Sequence, residues 1–228
     1  AKIFSSADRM LVLGEYWKKQ MATIIHADKI EILYNGAECP RENPYNTNGK
    51  YILYMGLLKK TKGTYDLIDA IKLIDNELSQ DIKVYLCGVD ENGETARYVA
   101  KQGLQNRIVM PGWINKSTRL ELFKNTQICA LPSYFEALSM TVIEAMCYGI
   151  PMVTTNISTM PELLGDEIEK IEPGDVQGLA ELIRKLVRSR ELRLNNSRIE
   201  YSRAKEKFSQ EKIMRRTVDI YNEVEQEY

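Results

Sequence analysis

Leu131-Pro132-Ser133-Tyr134-Phe135-Glu136-Ala137-Leu138-Ser139-Met140-Thr141-Val142-Ile143-Glu144-Ala145-Met146 is an apolar run that breaks into a polar loop and then resumes with helical spacing. The run that ends at Leu131 lacks in-out alternation, the pattern of a strand covered on both faces. After the loop, Leu138, Val142, Ile143 and Met146 mark the inward side of a helix predicted over 138–148. Strand, loop and buried helix in that order make one crossover of a parallel sheet.

The same alternation extends in both directions. Apolar runs of strand length recur at 10–13, 30–33, 51–55, 82–87, 108–110, 128–131, 151–154 and 168–171. Helical patterns lie between and after them at 64–78, 95–103, 117–125, 138–148, 176–187 and 210–225. In the first of these, Leu67, Ile71, Ile74 and Leu78 form one stripe and Thr64 stands where a cap is expected. The fold class is therefore α/β, a Rossmann-like doubly wound parallel sheet. The polar stretch 39–50, with Pro40, Pro44 and Gly49, follows neither period and reads as a linker or exposed loop.

Composition narrows the function. The 228 residues carry 31 Lys and Arg against 32 Asp and Glu, a formal net charge of -1, so no basic surface favours general nucleic-acid binding. Basic residues do outnumber acidic ones over 184–216, but they are spread through helical patterns, which fits a solvated face; weak contact with an anionic membrane is the outside reading. No run approaches the roughly 20 apolar residues of a bilayer span, and 1–8 has no signal-like pattern. The expectation is a soluble, unexported chain, and its opening at Ala1 inside an ongoing element suggests a fragment. Cys39, Cys87, Cys129 and Cys147 form no Cys-x-x-Cys pair, three of them sit in or beside apolar segments, and a reducing cytoplasm fits them. The one histidine, His26, reads as a surface residue, and alone it makes no His-rich zinc site.

Open parallel sheets bind ligands beyond the carboxyl ends of their strands. Two turns there carry chemistry. Gly56-Leu57-Leu58-Lys59-Lys60-Thr61-Lys62-Gly63 joins a strand to a helix N-terminus, and its glycines and lysines outline an anion site. A merely solvated turn is the competing reading. It is not a Walker loop, and no two glycines stand at i and i+2, so the usual dinucleotide fingerprint is missing. In the second turn, Glu136 and Glu144 flank an apolar helix start, where carboxylates are costly unless paired or wet, so both are expected to face a ligand crevice. The free N–H groups over 138–141 are expected to hold a phosphate between them. The bland alternative makes Glu136 a capping acid and Glu144 a surface residue. No Asp-x-Asp is present to hold a metal, so lysine and helix N-termini are expected to serve a departing diphosphate, with no cofactor.

Glu136-x7-Glu144 followed by Ala145-Met146, Gly149 and Pro151 resembles the signature of the retaining glycosyltransferases of family 4, which have the two-domain GT-B fold. The 56–63 turn is similar to their phosphate loop, Asn35-Gly36 to their inter-domain hinge, Pro173-Gly174-Asp175 to the opening of a late helix, and Lys207-Phe208-Ser209 to the approach to the last one. The likeness spans nearly the whole chain. It implies a remnant of the N-terminal acceptor domain with the hinge over 1–36, and a C-terminal nucleotide-sugar-binding domain over 37–228, with a last helix, 210–227, packing back toward the N-terminal side.

By the same resemblance, Glu136 sits by the donor sugar as a stabiliser rather than a covalent nucleophile, and Glu144 hydrogen-bonds the nucleotide ribose. Lys62 and the backbone of Ala137, Leu138, Ser139, Met140 and Thr141 bind the diphosphate together with Gly56, and Trp113 and Ile114 line the base. Leu57 stands where many members carry an arginine, which leaves Lys59 or Lys60 to replace it, and Ala137 and Ser139 stand where small glycines are usual. The implied partners are a nucleotide-diphosphate sugar and, through the missing domain, a polysaccharide or glycolipid acceptor, in the cytoplasm or at the inner membrane face. The rival readings are a GT-B epimerase or phosphorylase and a non-catalytic nucleotide-binding module of the same descent.

Overall fold

The computed structural model describes residues 7–226. The chain begins with a small parallel pair, β1 (Met10–Val12) and β2 (Ile30–Ile32), joined through α1 (Glu15–Met21). Val12, Ile25 and Ile30 form its own apolar cluster, flanked by Trp17 and Met21.

The body is a five-stranded parallel sheet in the order β5-β4-β3-β6-β7. Its strands are β3 (Tyr51–Met55), β4 (Lys83–Cys87), β5 (Ile108–Gly112), β6 (Thr126–Leu131) and β7 (Met152–Thr154). From β3 the chain steps outward to β4 and β5, then returns to the other side of β3 to lay down β6 and β7. The connections are α2 (Thr64–Ile74), α3 (Glu94–Lys101), α4 (Lys116–Asn125) and α5 (Met140–Cys147). With right-handed crossovers, the reversal puts α2 and α3 on one face and α4 and α5 on the other. Every residue of β6 is buried, as expected of a strand covered on both sides. The stripe read from sequence holds, since Leu67, Ile71, Ile74 and Leu78 are all buried.

After β7 come α6 (Met160–Leu164), α7 (Val176–Arg188), α8 (Arg190–Lys207) and α9 (Gln210–Glu225). Helix α7 packs on α2, and α8 packs on α5. Helix α9 returns to the beginning of the chain: Gly36 lies against Gln210, and Arg216 donates to Glu31 at 2.6 Å.

Several details differ from the sequence reading. The apolar run at 168–171 is not a strand. Only Ile171 bridges, to Thr155, and Lys170 turns its ammonium onto the Gly165 and Ile168 carbonyls. Thr64 does not cap α2; Gly63 occupies that position, and the Thr64 hydroxyl donates to the Tyr54 hydroxyl at 3.0 Å. Cys39 and Cys147 are joined in a disulfide rather than being free thiols, so the segment after Gly36 is tied to the end of α5, while Cys87 and Cys129 are free and buried. Residues 1–6 of the expected remnant and 227–228 at the end of the expected last helix lie outside the described residues.

Helix α8 escaped the sequence reading because its buried side is polar. Arg193, Asn196, Ser197, Glu200 and Ala204 face inward, so no apolar stripe announces it. Three of these polar groups have a clear structural use. Arg193 donates to the Leu186 and Val187 carbonyls at the end of α7, and Asn43 donates to the Ser197 hydroxyl. The fully buried Glu200 carboxyl accepts the Met152 N–H at the head of β7.

Burial raises the Glu200 pKa to about 8, with the Met152 N–H and Lys170 opposing the rise. A carboxyl that stays protonated in the fold binds a proton that the unfolded chain has released. Stability from this group is therefore full at acid pH and is lost as pH climbs from the ordinary carboxylate range through about 8. Glu200→Gln keeps the carbonyl acceptor and removes the titration. Melting temperatures measured between about pH 5 and about pH 8.5 should fall for the parent chain and run markedly flatter for the variant.

Candidate functional site

The reversal of strand order between β3 and β6 opens a crevice at their carboxyl ends, and the turns following β3, β4, β5 and β6 converge there. The first is 56–63, which ends in a short 3-10 turn, Lys60–Lys62, and then Gly63. Gly63 has φ 67, and a Cβ there would lie 1.9 Å from the Pro132 carbonyl oxygen. Only glycine lets the turn press so closely on the loop after β6. The Tyr134 N–H donates to the Thr61 carbonyl at 3.0 Å and completes the seam.

This seam brings Lys62 to Glu136, a pairing that the sequence reading did not draw. The ammonium donates to Glu136 Oε1 at 2.8 Å, and the Ser133 hydroxyl donates to the same oxygen at 2.8 Å. The Glu136 side chain is only 12% exposed, so pairing is what makes its charge tolerable there. Its backbone is held as well: the Ser158 hydroxyl donates to the Glu136 carbonyl at 2.6 Å, and Ser158 is the only non-glycine residue with positive φ among those described. Next to it, the Ala137 carbonyl accepts from Thr159 Oγ1 at 3.2 Å and from the Trp17 indole N–H at 2.7 Å. Trp17, Ser158 and Thr159 come from segments far from this loop in sequence, and nothing in their local patterns pointed to it.

A second cluster lies at the start of α5. The helix begins at Met140 with Ser139 as its cap, two residues later than the sequence placed it. Ala137 and Leu138 thus belong to the loop, Leu138 is buried, and the free helical N–H groups begin at Met140 and Thr141. The Thr141 hydroxyl donates to the Met55 carbonyl at 3.1 Å, pinning α5 to the end of β3. A cavity of about 330 Å³ opens here, lined by Gly56, Leu57, Trp113, Ile114, Thr141 and Glu144 among others. Trp113, at 75% exposure, is its outer wall.

Glu144 does face the crevice, and its partner is Arg119, a residue the sequence reading did not single out. Arg119 Nη1 donates to both carboxylate oxygens at 2.9 and 2.8 Å. Partial burial raises the Glu144 pKa, with Arg119 and then Lys116 acting against the rise. Arg119 also lines the cavity, and its Nε is buried without a hydrogen-bond partner. The available signal was its place on α4, one turn after the Trp113–Ile114 loop.

The expected constellation is therefore gathered in two adjoining clusters. Gly56, Trp113, Ile114, Thr141 and Glu144 line the cavity. Lys62 and Glu136 bind each other outside its lining, and the 137–139 loop with the start of α5 connects the two groups. The lysines that were to replace the missing arginine turn elsewhere. Lys59 faces Glu91 at 3.6 Å, and Lys60 lines a separate groove between α2 and α3.

Comparison with known proteins places this geometry. The family described as glycosyl transferases group 1 matches residues 37–205, most of the chain. The chain belongs to that family. An uncharacterized glycosyltransferase of Methanocaldococcus jannaschii is 24% identical over 238 residues, covering 93% of this chain and 59% of the relative. The MMP alpha-(1->4)-mannosyltransferase of Mycolicibacterium hassiacum is 28% identical over 167 residues, covering 70% of this chain and 39% of the relative. A crystal structure of a variant of S. aureus TarM with fondaparinux, alpha-GlcNAc-glycerol and UDP superposes with TM-score 0.80 at 19% identity, over 94% of this chain and 44% of that one. The fold is that of GT-B glycosyltransferases, and this group 1 chain spans about half the length of the proteins it matches. Among its described residues, no helix is long and apolar enough to cross a membrane.

Two glycines separate the seam's contribution from plain backbone strain. Gly63→Ala should cost more than about 3 kcal/mol in urea unfolding, the left-handed penalty plus the clash with Pro132. Gly112 has φ 79 but nothing within 4 Å of an added Cβ, so Gly112→Ala should cost only about 1 to 2 kcal/mol.

Proposed function

We propose that this chain is the donor-binding half of a retaining glycosyltransferase that takes a nucleotide-diphosphate sugar and passes the sugar to a polysaccharide or glycolipid acceptor. On this reading residues 1–36 are the end of the acceptor domain and its hinge, and the acceptor is held mainly by a domain that this chain does not contain. The observation that carries the proposal is the cavity between Gly56, Trp113 and Glu144, set beside the Lys62–Glu136 pair at the switch point of the sheet. The M. hassiacum relative is named a mannosyltransferase and the TarM structure holds UDP, which supports a nucleotide-sugar donor.

In this proposal Trp113 and Ile114 line the base, and Glu144 accepts from the ribose hydroxyls while Arg119 holds its carboxylate in place. The diphosphate lies across the N-terminus of α5, where the Met140 and Thr141 N–H groups and the helix dipole favour negative charge. Lys62 has three donors and spends two, on Glu136 and, at 3.4 Å, on the Phe135 carbonyl, which leaves one to hold a phosphate oxygen as the leaving group gains charge. Arg119, whose side chain lines the cavity, is the cation there in place of an arginine at Leu57, where Lys59 and Lys60 turn elsewhere. Glu136, fixed by Lys62 and Ser133, stabilises the developing oxocarbenium charge on the sugar and forms no covalent bond to it. No step requires a metal or cofactor. A cytoplasmic setting, with contact at an anionic membrane face, is part of the same proposal.

Calorimetric titration of the chain with UDP, GDP and ADP tests the reading. One of the three should bind saturably, and Lys62→Ala, Glu144→Ala and Arg119→Ala should each weaken it about ten-fold or more. Binding of none would overturn the donor-half assignment. The chain alone should turn over no nucleotide sugar into glycoside, and turnover would contradict the assignment of acceptor binding to another domain.

A further inference from the structure

A second sizeable cavity lies outside the crevice. It is a groove of about 860 Å³ between α2 and α3, closed at one end by Lys60, Thr61 and Tyr134. That volume is in the range of ligand sites. The groove backs directly onto the candidate donor site: Lys60 and Lys62 flank Thr61, and Tyr134 and Glu136 flank Phe135, yet Lys62 and Glu136 meet each other while Lys60 and Tyr134 line the groove.

Three tyrosine rings furnish it. Tyr65 and Tyr98 meet edge to face with centroids 5.0 Å apart, and Tyr98 is locked in place because its hydroxyl donates to both oxygens of Asp69 at 2.8 and 2.9 Å. Gln102 also donates to Asp69 at 2.8 Å, so that carboxylate is fully engaged. The third ring, Tyr134, has its hydroxyl against Asp66. Asp66 is different from Asp69: its Oδ2 is shielded from water and has no hydrogen-bond partner. That buried oxygen is out of a ligand's reach, but Asp66 itself lines the groove, where its carboxylate can accept from a ligand hydroxyl.

The charges on the walls cancel. Lys60, Arg97 and Lys101 oppose Asp66, Asp69 and Glu94. An anionic nucleotide gains little from such a lining. A ligand with apolar faces and many hydroxyls fits it on every count, since pyranose C–H faces lie on tyrosine rings while hydroxyl pairs bridge carboxylates and ammonium groups.

We propose that the groove between α2 and α3 is a binding site for a neutral oligosaccharide, distinct from the donor crevice and separated from it by the shared 60–62 and 133–136 loops. A glycan seated there lies within one loop's thickness of Glu136. This assignment stands apart from the donor reading, since it needs no nucleotide.

The test is an NMR titration of the chain with maltohexaose, a mannotetraose and a neutral galactan tetrasaccharide, with and without saturating UDP. At least one glycan should bind saturably with Kd of about 1 mM or tighter, perturbing the Tyr65, Tyr98 and Tyr134 signals. Tyr65→Ala and Asp66→Asn should each weaken that binding about five-fold or more, while Glu144→Ala and added UDP leave it unchanged. Asp66→Asn keeps the side-chain shape, and a native spectrum for it guards against misfolding. Failure of all three glycans to saturate would overturn the proposal. So would competition with UDP, loss of binding in Glu144→Ala, or tighter binding of a sulfated oligosaccharide probe than of the neutral ones.

Discussion

The placement of every group at the rim depends on one topological constraint, the return of the chain across β3. Because β4 and β5 are laid on one side and β6 and β7 on the other, the helices leaving β3 and β6 diverge onto opposite faces. The sheet cannot close over the gap between them. A buried five-stranded core with strands as apolar as Ile52, Leu53, Ile128 and Cys129 makes that arrangement rigid, and the turns at the carboxyl ends inherit the rigidity. The Gly63–Pro132 seam then uses it: two turns from adjacent strands touch backbone to backbone, and Lys62 and Glu136 follow from that contact.

The rim carries carboxylates whose charge is costly in a half-buried setting. Glu136 is answered by Lys62 and Ser133, and Glu144 by Arg119. These pairs give little net stability, because desolvation offsets much of the Coulomb gain. Their effect is positional. Each acid is held at a fixed place without being neutralised outright, and each cation keeps donors to spare, which is the condition for meeting a polar, anionic ligand without rebuilding the site. The Trp17 indole and the Ser158 and Thr159 hydroxyls hold the intervening backbone in the same way.

Much of the architecture was legible because it is written in apolar periodicity. The strands read at 51–55 and 128–131 and the helices read over 64–78 and 210–225 follow directly from runs and stripes, though the second strand begins at Thr126 and the first helix ends at Ile74. Where the inward face is polar the signal vanishes, as with α8 and its buried Arg193 and Glu200. An apolar run likewise misled at 168–171, where Ile168 and Ile171 are buried by a loop tied down through Lys170. Glu136, Glu144 and Lys62 were visible because charge next to a strand-to-helix turn is conspicuous. Arg119 and Trp17 were not, since their role arises only from segments brought together by folding, and neither was the Cys39–Cys147 bond across 108 residues of sequence.

The central claim is that the switch-point crevice, and no other part of the surface, receives the nucleotide. Backbone amide mapping of the isotope-labelled chain with saturating UDP addresses it most directly. The account predicts shifts concentrated at Gly56, Lys62, Trp113, Met140, Thr141 and Glu144, with the opposite edge of the sheet around Gly49 and Lys83 silent. Shifts centred at that opposite edge, or confined to the α2–α3 groove, would contradict it.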